Sequence, residues 1–282
     1  MSAPGVAILK FLNRFFPRPV HPFNLETDGT MTYARWQFEQ GHRTIQYYLD
    51  FTTQEEMFRD RRVLDVGCGA GGKTCYFATL EAEGVWGIDA VESYERQASA
   101  FSREQGLEHL THFVTGDAAD MPFDDGFFDT IILNDTVEHL TEPVRALLEC
   151  LRVLRPGGNL YVNFPPYYHP YGAHLSDAIG IPWVHLIFSQ STMITAYRQL
   201  IQGHPDAEAR LNLRLGDLGS HHLDYVNGMT SRRFRRIAAG LPAELLHYRE
   251  VPLRPYLAPL TLMPGLRECF IRMVVAMLTR PR

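Results

Sequence analysis

A β-strand that runs directly into closely spaced glycines leaves a chain few folds to choose from, and residues 63–72, VLDVGCGAGG, form such a run. Glycines at that point let backbone N–H groups and a following helix N-terminus approach a ligand closely. Taken alone, the turn fits two patterns. Gly67, Gly69 and Gly72 satisfy GxGxxG, the spacing of a dinucleotide site, whereas Gly67, Gly69 and Gly71 equally satisfy GxGxG.

The first two-thirds of the chain alternate short β-rich runs with helical stretches, as a parallel sheet wound with helices requires. Residues 31–51 read as a helix ahead of the sheet, RRVLDVG (61–67) as the first strand and about 72–82 as the helix after the glycines. VWGIDA (85–90) is the second strand, 91–106 the second helix, and HFVTGD (112–117) and FFDTIILND (127–135) are strands three and four. In EPVRALLECLRVL (142–154), Val144, Leu147, Leu148, Leu151 and Leu154 fall on one helical face. Pro156, Gly157 and Gly158 should stop that helix and turn the chain into a fifth strand, NLYVNF (159–164). Between 165 and 222 the rhythm gives way to aromatics, prolines and histidines, which we read as a helical insertion. A helix resumes over 229–240, and 245–253 and 269–278 would be the last two strands. The Val-Val run near the end fits a buried strand better than a membrane helix.

Three acids resolve the ambiguity of the glycine turn. Asp65 stands two residues before Gly67, where a carboxylate would repel a pyrophosphate but suit an ammonium group. Asp89 ends the second strand, where an acid can take both hydroxyls of a ribose. Asp117 ends the third, where it could accept from an adenine amino group. A ligand with an ammonium, a ribose and an adenine but no phosphate is S-adenosylmethionine.

With these residues in order, the chain resembles the class I S-adenosylmethionine-dependent methyltransferases, in particular their small-molecule branch. The likeness covers about residues 60–165 and rests on VLDVGCGAGG, GIDA, GDAADMPFDDGFFDTIILNDTVEHL and LRVLRPGGNLYV. It implies an α/β, Rossmann-like fold: a seven-stranded, mostly parallel sheet with its last strand antiparallel and helices on both faces, here with a helical cap inserted after strand five. It further implies that Gly67, Cys68, Gly69 and Gly71 line the methionine and ribose, and that Asp65 faces the amino group. Asp89 and Ala90 would take the ribose, Asp117 and Ala118 the adenine, and Asn134 would border the methionine portion. The expected division is 1–58, N-terminal helices covering the site; 59–164, the cofactor-binding core; 165–228, the substrate cap; and 229–282, completion of the sheet.

Composition narrows partners and compartment. A formal charge of -5 argues against a nucleic-acid-binding domain. Cys68, Cys75, Cys150 and Cys269 form no CxxC pair, which reads as reduced thiols in the cytoplasm. The run VAILKFLNRFFPRPV (6–20) is apolar but too short for a span, is broken by Lys10 and Arg14, and lacks a small-residue cleavage site. It reads as a short helix covering the domain, with a membrane-surface anchor as the second reading.

Methyl transfer to an O–H acceptor benefits from a base, and histidine titrates near working pH. Candidates should lie at the C-terminal ends of strands four and five. His139 follows strand four, and His169 and His174 lie in PPYYHPYGAHL (165–175), where Tyr167, Tyr168 and Tyr171 could line a pocket. The set Asp135, Glu138 and His139 resembles the ligands of metal-assisted methyltransferases, but helix capping by Asp135 explains it without a metal, and none is assigned. His185, near Trp183, reads as a satisfied core histidine, at most one of His221 and His222 need face a cleft, and Arg232, Arg233, Arg235 and Arg236 read as a solvated helix face. The expected activity is methyl transfer to a small molecule, first to a hydroxyl oxygen of an aromatic or lipophilic metabolite. The alternatives are nitrogen or carbon acceptors, a membrane-surface enzyme acting on a lipid or quinone precursor, and a non-catalytic cofactor-binding module.

Overall fold

The computed structural model describes residues 3–215, 220, 222–263 and 265–282. The chain folds into two compact units. One comprises Tyr33–Phe164, Ser231–Val251 and Met273–Arg282; the other comprises Met1–Thr32, Pro165–Thr230 and Pro252–Arg272.

The first unit is built on the sheet. Numbered along the whole chain, its strands are β1 (Arg62–Val66), β2 (Gly84–Asp89), β3 (Thr111–Thr115), β4 (Phe128–Asn134), β5 (Leu154–Phe164), β6 (Glu244–Pro252) and β7 (Ile271–Thr279). They form one seven-stranded sheet in the order β3-β2-β1-β4-β5-β7-β6. Strands β1 to β5 pair in parallel, and β7 runs antiparallel to β5. The order reverses at β1, and in such sheets ligands bind beyond the carboxyl ends of the strands flanking that point. Helices α3 (Tyr33–Ile45), α4 (Gln54–Phe58), α5 (Gly72–Ala78), α6 (Glu92–Gln105), α7 (Pro143–Val153) and α11 (Ser231–Gly240) complete the unit.

Register decides which side chains share a face. Asp65 pairs with Gly87 and Ile132, and Ile132 pairs with Tyr161. With a period of two along each strand, Val63, Asp65, Ile132 and Tyr161 therefore point the same way. On that side Val63, Ile132 and Tyr161 pack with Tyr48, Met57, Phe58 and Phe77 in a closed apolar cluster. Asp65 is thus a carboxylate set among apolar neighbours at the end of its strand.

Two sequence expectations need correction. The residues Pro156, Gly157 and Gly158 do not precede the fifth strand; β5 begins at Leu154 and runs through them. The pairing with β4 slips between Phe128 and Thr130, and the Gly157 N–H bonds to Arg280 O at 2.8 Å, so the glycines form a bulge inside the strand. On α7, Val144 and Leu148 are exposed, while Ala146, Leu147, Cys150, Leu151 and Val153 are buried. The buried face is centred on the 146/147–150/151 stripe, which leaves Val144 and Leu148 at its edge, and Leu154 has already entered the strand.

The second unit contains α1 (Ala3–Asn13), α2 (Pro22–Thr27), α8 (Val184–Ile187), α9 (Gln190–Ile201), α10 (Ala207–Leu215) and two 3-10 turns over Pro255–Leu262 and Arg267–Phe270. Val6 and Leu9 join Ile181, Met193, Ile194 and Tyr197 in its core. Its polar centre is Asp177, fully buried, which accepts from Tyr197 Oη at 2.6 Å and Arg210 Nη1 at 3.1 Å and forms an ion pair with Arg214 Nη2 at 3.7 Å. Arg210 also donates to Asn24 Oδ1, Thr27 Oγ1 and Phe23 O, tying α2 to α10. Buried charges persist only when paired in this way. No helix among the described residues is long and apolar enough to cross a membrane.

Candidate active site

The glycine turn joins β1 to α5 as expected. Gly67, Gly69 and Gly71 have φ values of 74°, 55° and 79°, in the left-handed region that non-glycine residues rarely enter. The Gly67 and Cys68 N–H groups both bond to Ile88 O, at 2.8 and 3.2 Å, which fixes the turn against β2. Cys68 itself is buried, with its thiol pushed well up by burial and by the nearby Asp65 and Asp89 charges, so its side chain packs and stays protonated.

Helix α3 lies directly against this turn. The Gln37 amide brackets it: Oε1 accepts from Gly72 N at 3.3 Å and Nε2 donates to Cys68 O at 3.4 Å. A Cβ at Gly72 would stand 1.9 Å from the Ala34 carbonyl oxygen. Gly72→Ala should therefore lower stability by about 2–3 kcal/mol through forced separation of α3 from α5. A denaturant midpoint equal to that of the wild type would show that α3 yields freely.

The acids occupy distinct settings. Asp65 is buried, accepts from Thr74 Oγ1 at 2.7 Å, and has its carboxyl raised from 3.8 to about 6, chiefly by burial, against the pull of Thr74 and Lys73. Asp89 is half-buried and takes Gly69 N on Oδ2 at 2.9 Å and Val91 N on Oδ1 at 3.0 Å. Burial raises its pKa, and the backbone donors oppose that shift. Ala90 beside it is exposed. Asp117 is exposed and accepts from Ala119 N at 2.9 Å, while Ala118 is buried.

At the end of β4, Asn134 is buried and its Oδ1 accepts from Tyr48 Oη at 2.7 Å. Its Nδ2 has no hydrogen-bond partner among the described residues. A buried amide N–H without a partner costs free energy unless a ligand satisfies it. At the carboxyl end of a strand that pairs with β1, this donor suits the carboxylate of an amino-acid moiety, so the residues present fit S-adenosylmethionine.

Past β4 the backbone bends sharply. Asp135 has φ 51° and its carboxylate pairs with Lys73 Nζ at 3.2 Å. It caps no helix, because α7 starts at Pro143 with Glu142 as its N-cap; the expected capping role fails. Glu138 is buried with no hydrogen-bond partner for either carboxyl oxygen among the described residues, and burial together with the Asp135 charge pushes its pKa well up. His139, partly exposed, places Nε2 3.8 Å from Glu138 Oε1.

The remaining candidates belong to the second unit. His169 is half-buried and its Nδ1 accepts from Tyr171 N at 3.2 Å. His174, at φ 52°, stands 6.0 Å from the Tyr225 ring, centroid to centroid. Tyr167 packs edge-on against Tyr168 at 5.5 Å and His185 at 5.0 Å. His185 is half-buried rather than a core residue, and burial lowers its pKa. Trp183 is also half-buried, its centroid 6.3 Å from that of Phe270. His222 is exposed, and His221 lies outside the described residues. In the first unit, the arginines of α11 are exposed or half-exposed, as a solvated face would be.

Sequence reasoning missed Tyr48, Gln37 and Thr74. Tyr48 and Gln37 act through partners far along the chain, Thr74 reaches back across the glycine turn to Asp65, and no local pattern marks any of them.

Comparison with known proteins decides the class. Residues 64–162 match the family model described as a methyltransferase domain. A ubiquinone/menaquinone biosynthesis C-methyltransferase from Yersinia pestis is 31% identical over 60% of this chain and 70% of its own. The chain belongs to the class I S-adenosylmethionine-dependent methyltransferases. The chloroplastic tocopherol O-methyltransferase of Arabidopsis thaliana is 30% identical over 44% of this methyltransferase, but the match spans only 38% of that relative's length. The solved geranyl diphosphate methyltransferase has the same fold, with a TM-score of 0.54 at 16% identity, covering 86% of this chain and 84% of that one. The enzyme's cofactor is S-adenosylmethionine.

Proposed function

We propose that this methyltransferase alkylates a hydroxyl oxygen of a small aromatic or lipophilic acceptor. The observation that carries the reading is His139, a partly exposed imidazole just beyond the carboxyl end of β4, next to the buried Glu138. An O–H acceptor needs a proton removed as the new C–O bond forms, and an imidazole at that end of the sheet can take it. When bound, S-adenosylmethionine supplies an electrophilic sulfonium methyl.

The chain's own residues bind and orient. Asp65 would take the ammonium, Asn134 Nδ2 the carboxylate, Asp89 the ribose hydroxyls, and Asp117 with Ala118 the adenine. Tyr48 is the positioning residue for Asn134, since its hydroxyl fixes which amide atom is left to donate. Residues 165–228, rich in Tyr and His, would select the acceptor, with His169 and His174 as further polar groups toward it. Tocopherol, ubiquinone and menaquinone, which the relatives' names carry, are lipophilic ring compounds. One relative is a C-methyltransferase, so carbon is the second reading.

A panel of phenols and hydroquinones with methyl-labelled S-adenosylmethionine tests both. A methoxy carbon resonance in the product is expected; an aryl-methyl resonance would make the enzyme a C-methyltransferase. His139→Ala should lower kcat about a hundredfold, the smaller end of general-base contributions, at unchanged cofactor affinity. Full turnover would return His139 to a structural part.

A further inference from the structure

Helix α1 carries two apolar stripes where a surface helix needs one. Val6 and Leu9 are buried in the core of the second unit. A turn further on, Asn13 fixes the same side, donating to Ala178 O at 2.9 Å and accepting from Gly180 N at 2.8 Å. The other stripe, Ile8, Phe11, Leu12 and Phe15, repeats at i, i+3, i+4 and i+7 and is open to solvent. Ile8 is 53%, Phe11 57% and Phe15 68% exposed. The helical path continues past Asn13, with Phe15 N on Leu12 O at 3.0 Å, so Phe11 and Phe15 pair edge-on at 5.3 Å.

Charge around the stripe has one sign. Residues 3–25 contain Lys10, Arg14 and Arg18 and no acid, in a chain whose formal charge is -5. Lys10 and Arg14 line a groove of about 530 Å³ beside Phe11, with Thr195 and Gln199 of α9 on its far wall. A second stretch of the same unit also exposes apolar side chains: 254–268 contains Arg254, Arg267 and the acid Glu268. There Tyr256, Leu262, Met263 and Leu266 are exposed, Leu262 at 82%. Exposed apolar side chains on a helix whose surrounding stretch, residues 3–25, carries cations and no acid match a surface that is apolar beneath and negatively charged above. A protein partner would have to meet each cation with an acid at a fixed position; a lipid surface meets them all as a sheet of charge.

We propose that α1 docks this enzyme peripherally on an anionic lipid bilayer. Phe11 and Phe15 enter the acyl region, while Lys10, Arg14 and Arg18 lie at headgroup level. The proposal stands on this surface and does not depend on which atom is methylated.

Co-sedimentation of the full chain with vesicles tests it, using phosphatidylcholine alone and phosphatidylcholine mixed with phosphatidylglycerol. Binding to the anionic vesicles alone, weakening as salt rises, is expected. Phe11→Ser with Phe15→Ser should reduce the partition coefficient about a hundredfold, from lost apolar burial. Lys10→Glu with Arg14→Glu should reduce it about thirtyfold or more. Both double variants should bind S-adenosylmethionine as the wild type does, which certifies their folding. Point variants are preferred to deletion of α1, which would uncover the core under Val6 and Leu9. No vesicle binding, equal binding to neutral vesicles, or wild-type binding by the phenylalanine variant would overturn the proposal. So would a dimer that the phenylalanine substitutions dissolve in a chain that ignores vesicles, since the stripe would then be a self-association surface.

Discussion

Asp89→Ala should weaken S-adenosylmethionine binding by about three orders of magnitude. The proposed ribose contact accounts for most of this: charge-assisted hydrogen bonds contribute about 1.5–3 kcal/mol each, and two hydroxyls would be lost together. The structure adds a second cost, because each carboxyl oxygen also receives a backbone N–H, Gly69 on one and Val91 on the other. Alanine would release the Gly69 and Val91 N–H groups as well as the ribose, while the Gly67 and Cys68 bonds to Ile88 O still hold the turn against β2. Asp89→Asn separates the two effects. Its amide oxygen can keep one backbone donor, so its thermal stability should lie between wild type and alanine, while its cofactor affinity should fall nearly as far as alanine's. Calorimetric titration gives the affinities. An alanine variant that binds as tightly as the wild type would remove Asp89 from the site.

The parts of this enzyme that could be read from sequence are those whose cause is local. The strand–glycine–helix passage at 63–72 announces itself because only glycine tolerates three left-handed backbones so close together. The acids at the strand ends follow from the same register, which places Asp65 opposite Gly87 and Asp89 opposite Thr115. The bulge at Gly157 was not legible, because it depends on β7, a strand more than a hundred residues later, whose end supplies Arg280 O to the Gly157 N–H. Tyr48 was hidden for the same reason. Nothing near it in sequence says that its hydroxyl will meet Asn134, and its ring looks like any core aromatic.

The 165–222 stretch shows the limit differently. The polar centre of its described part is one buried acid shared by two arginines and a tyrosine, and charged residues in sequence read as surface until a structure pairs them. Asp135 misled in the opposite direction. A short polar residue before a helix suggests a cap, but a left-handed bend intervenes and the carboxylate turns to Lys73. Sequence likeness therefore reached the cofactor chemistry of the fold, while the acceptor depends on side chains set by long-range packing, which the fold alone does not dictate.

Asp65→Asn should make the empty enzyme more stable and nearly unable to bind its cofactor. Burial raises this carboxyl from 3.8 to about 6. A group whose folded-state pKa is raised contributes stability below its unfolded value and loses it as pH climbs through the folded value. Between pH 3.8 and about 6 the ionisation of Asp65 therefore erodes folding, and at neutral pH the cost reaches about 3 kcal/mol. Asparagine carries no such charge and can still accept from Thr74, so its melting temperature at neutral pH should rise. Affinity should move the other way: an uncompensated ammonium beside a buried amide costs about 3–5 kcal/mol, roughly a thousandfold. The wild type should show the same chemistry in its pH dependence, with affinity for S-adenosylmethionine falling about tenfold per pH unit below pH 6 as Asp65 takes a proton. The asparagine variant should lack the part of that slope due to Asp65. A variant that gains stability and keeps its affinity would mean that the ammonium lies elsewhere. One that loses both would mean that the ionised carboxylate holds the fold, and that its burial serves structure rather than the cofactor.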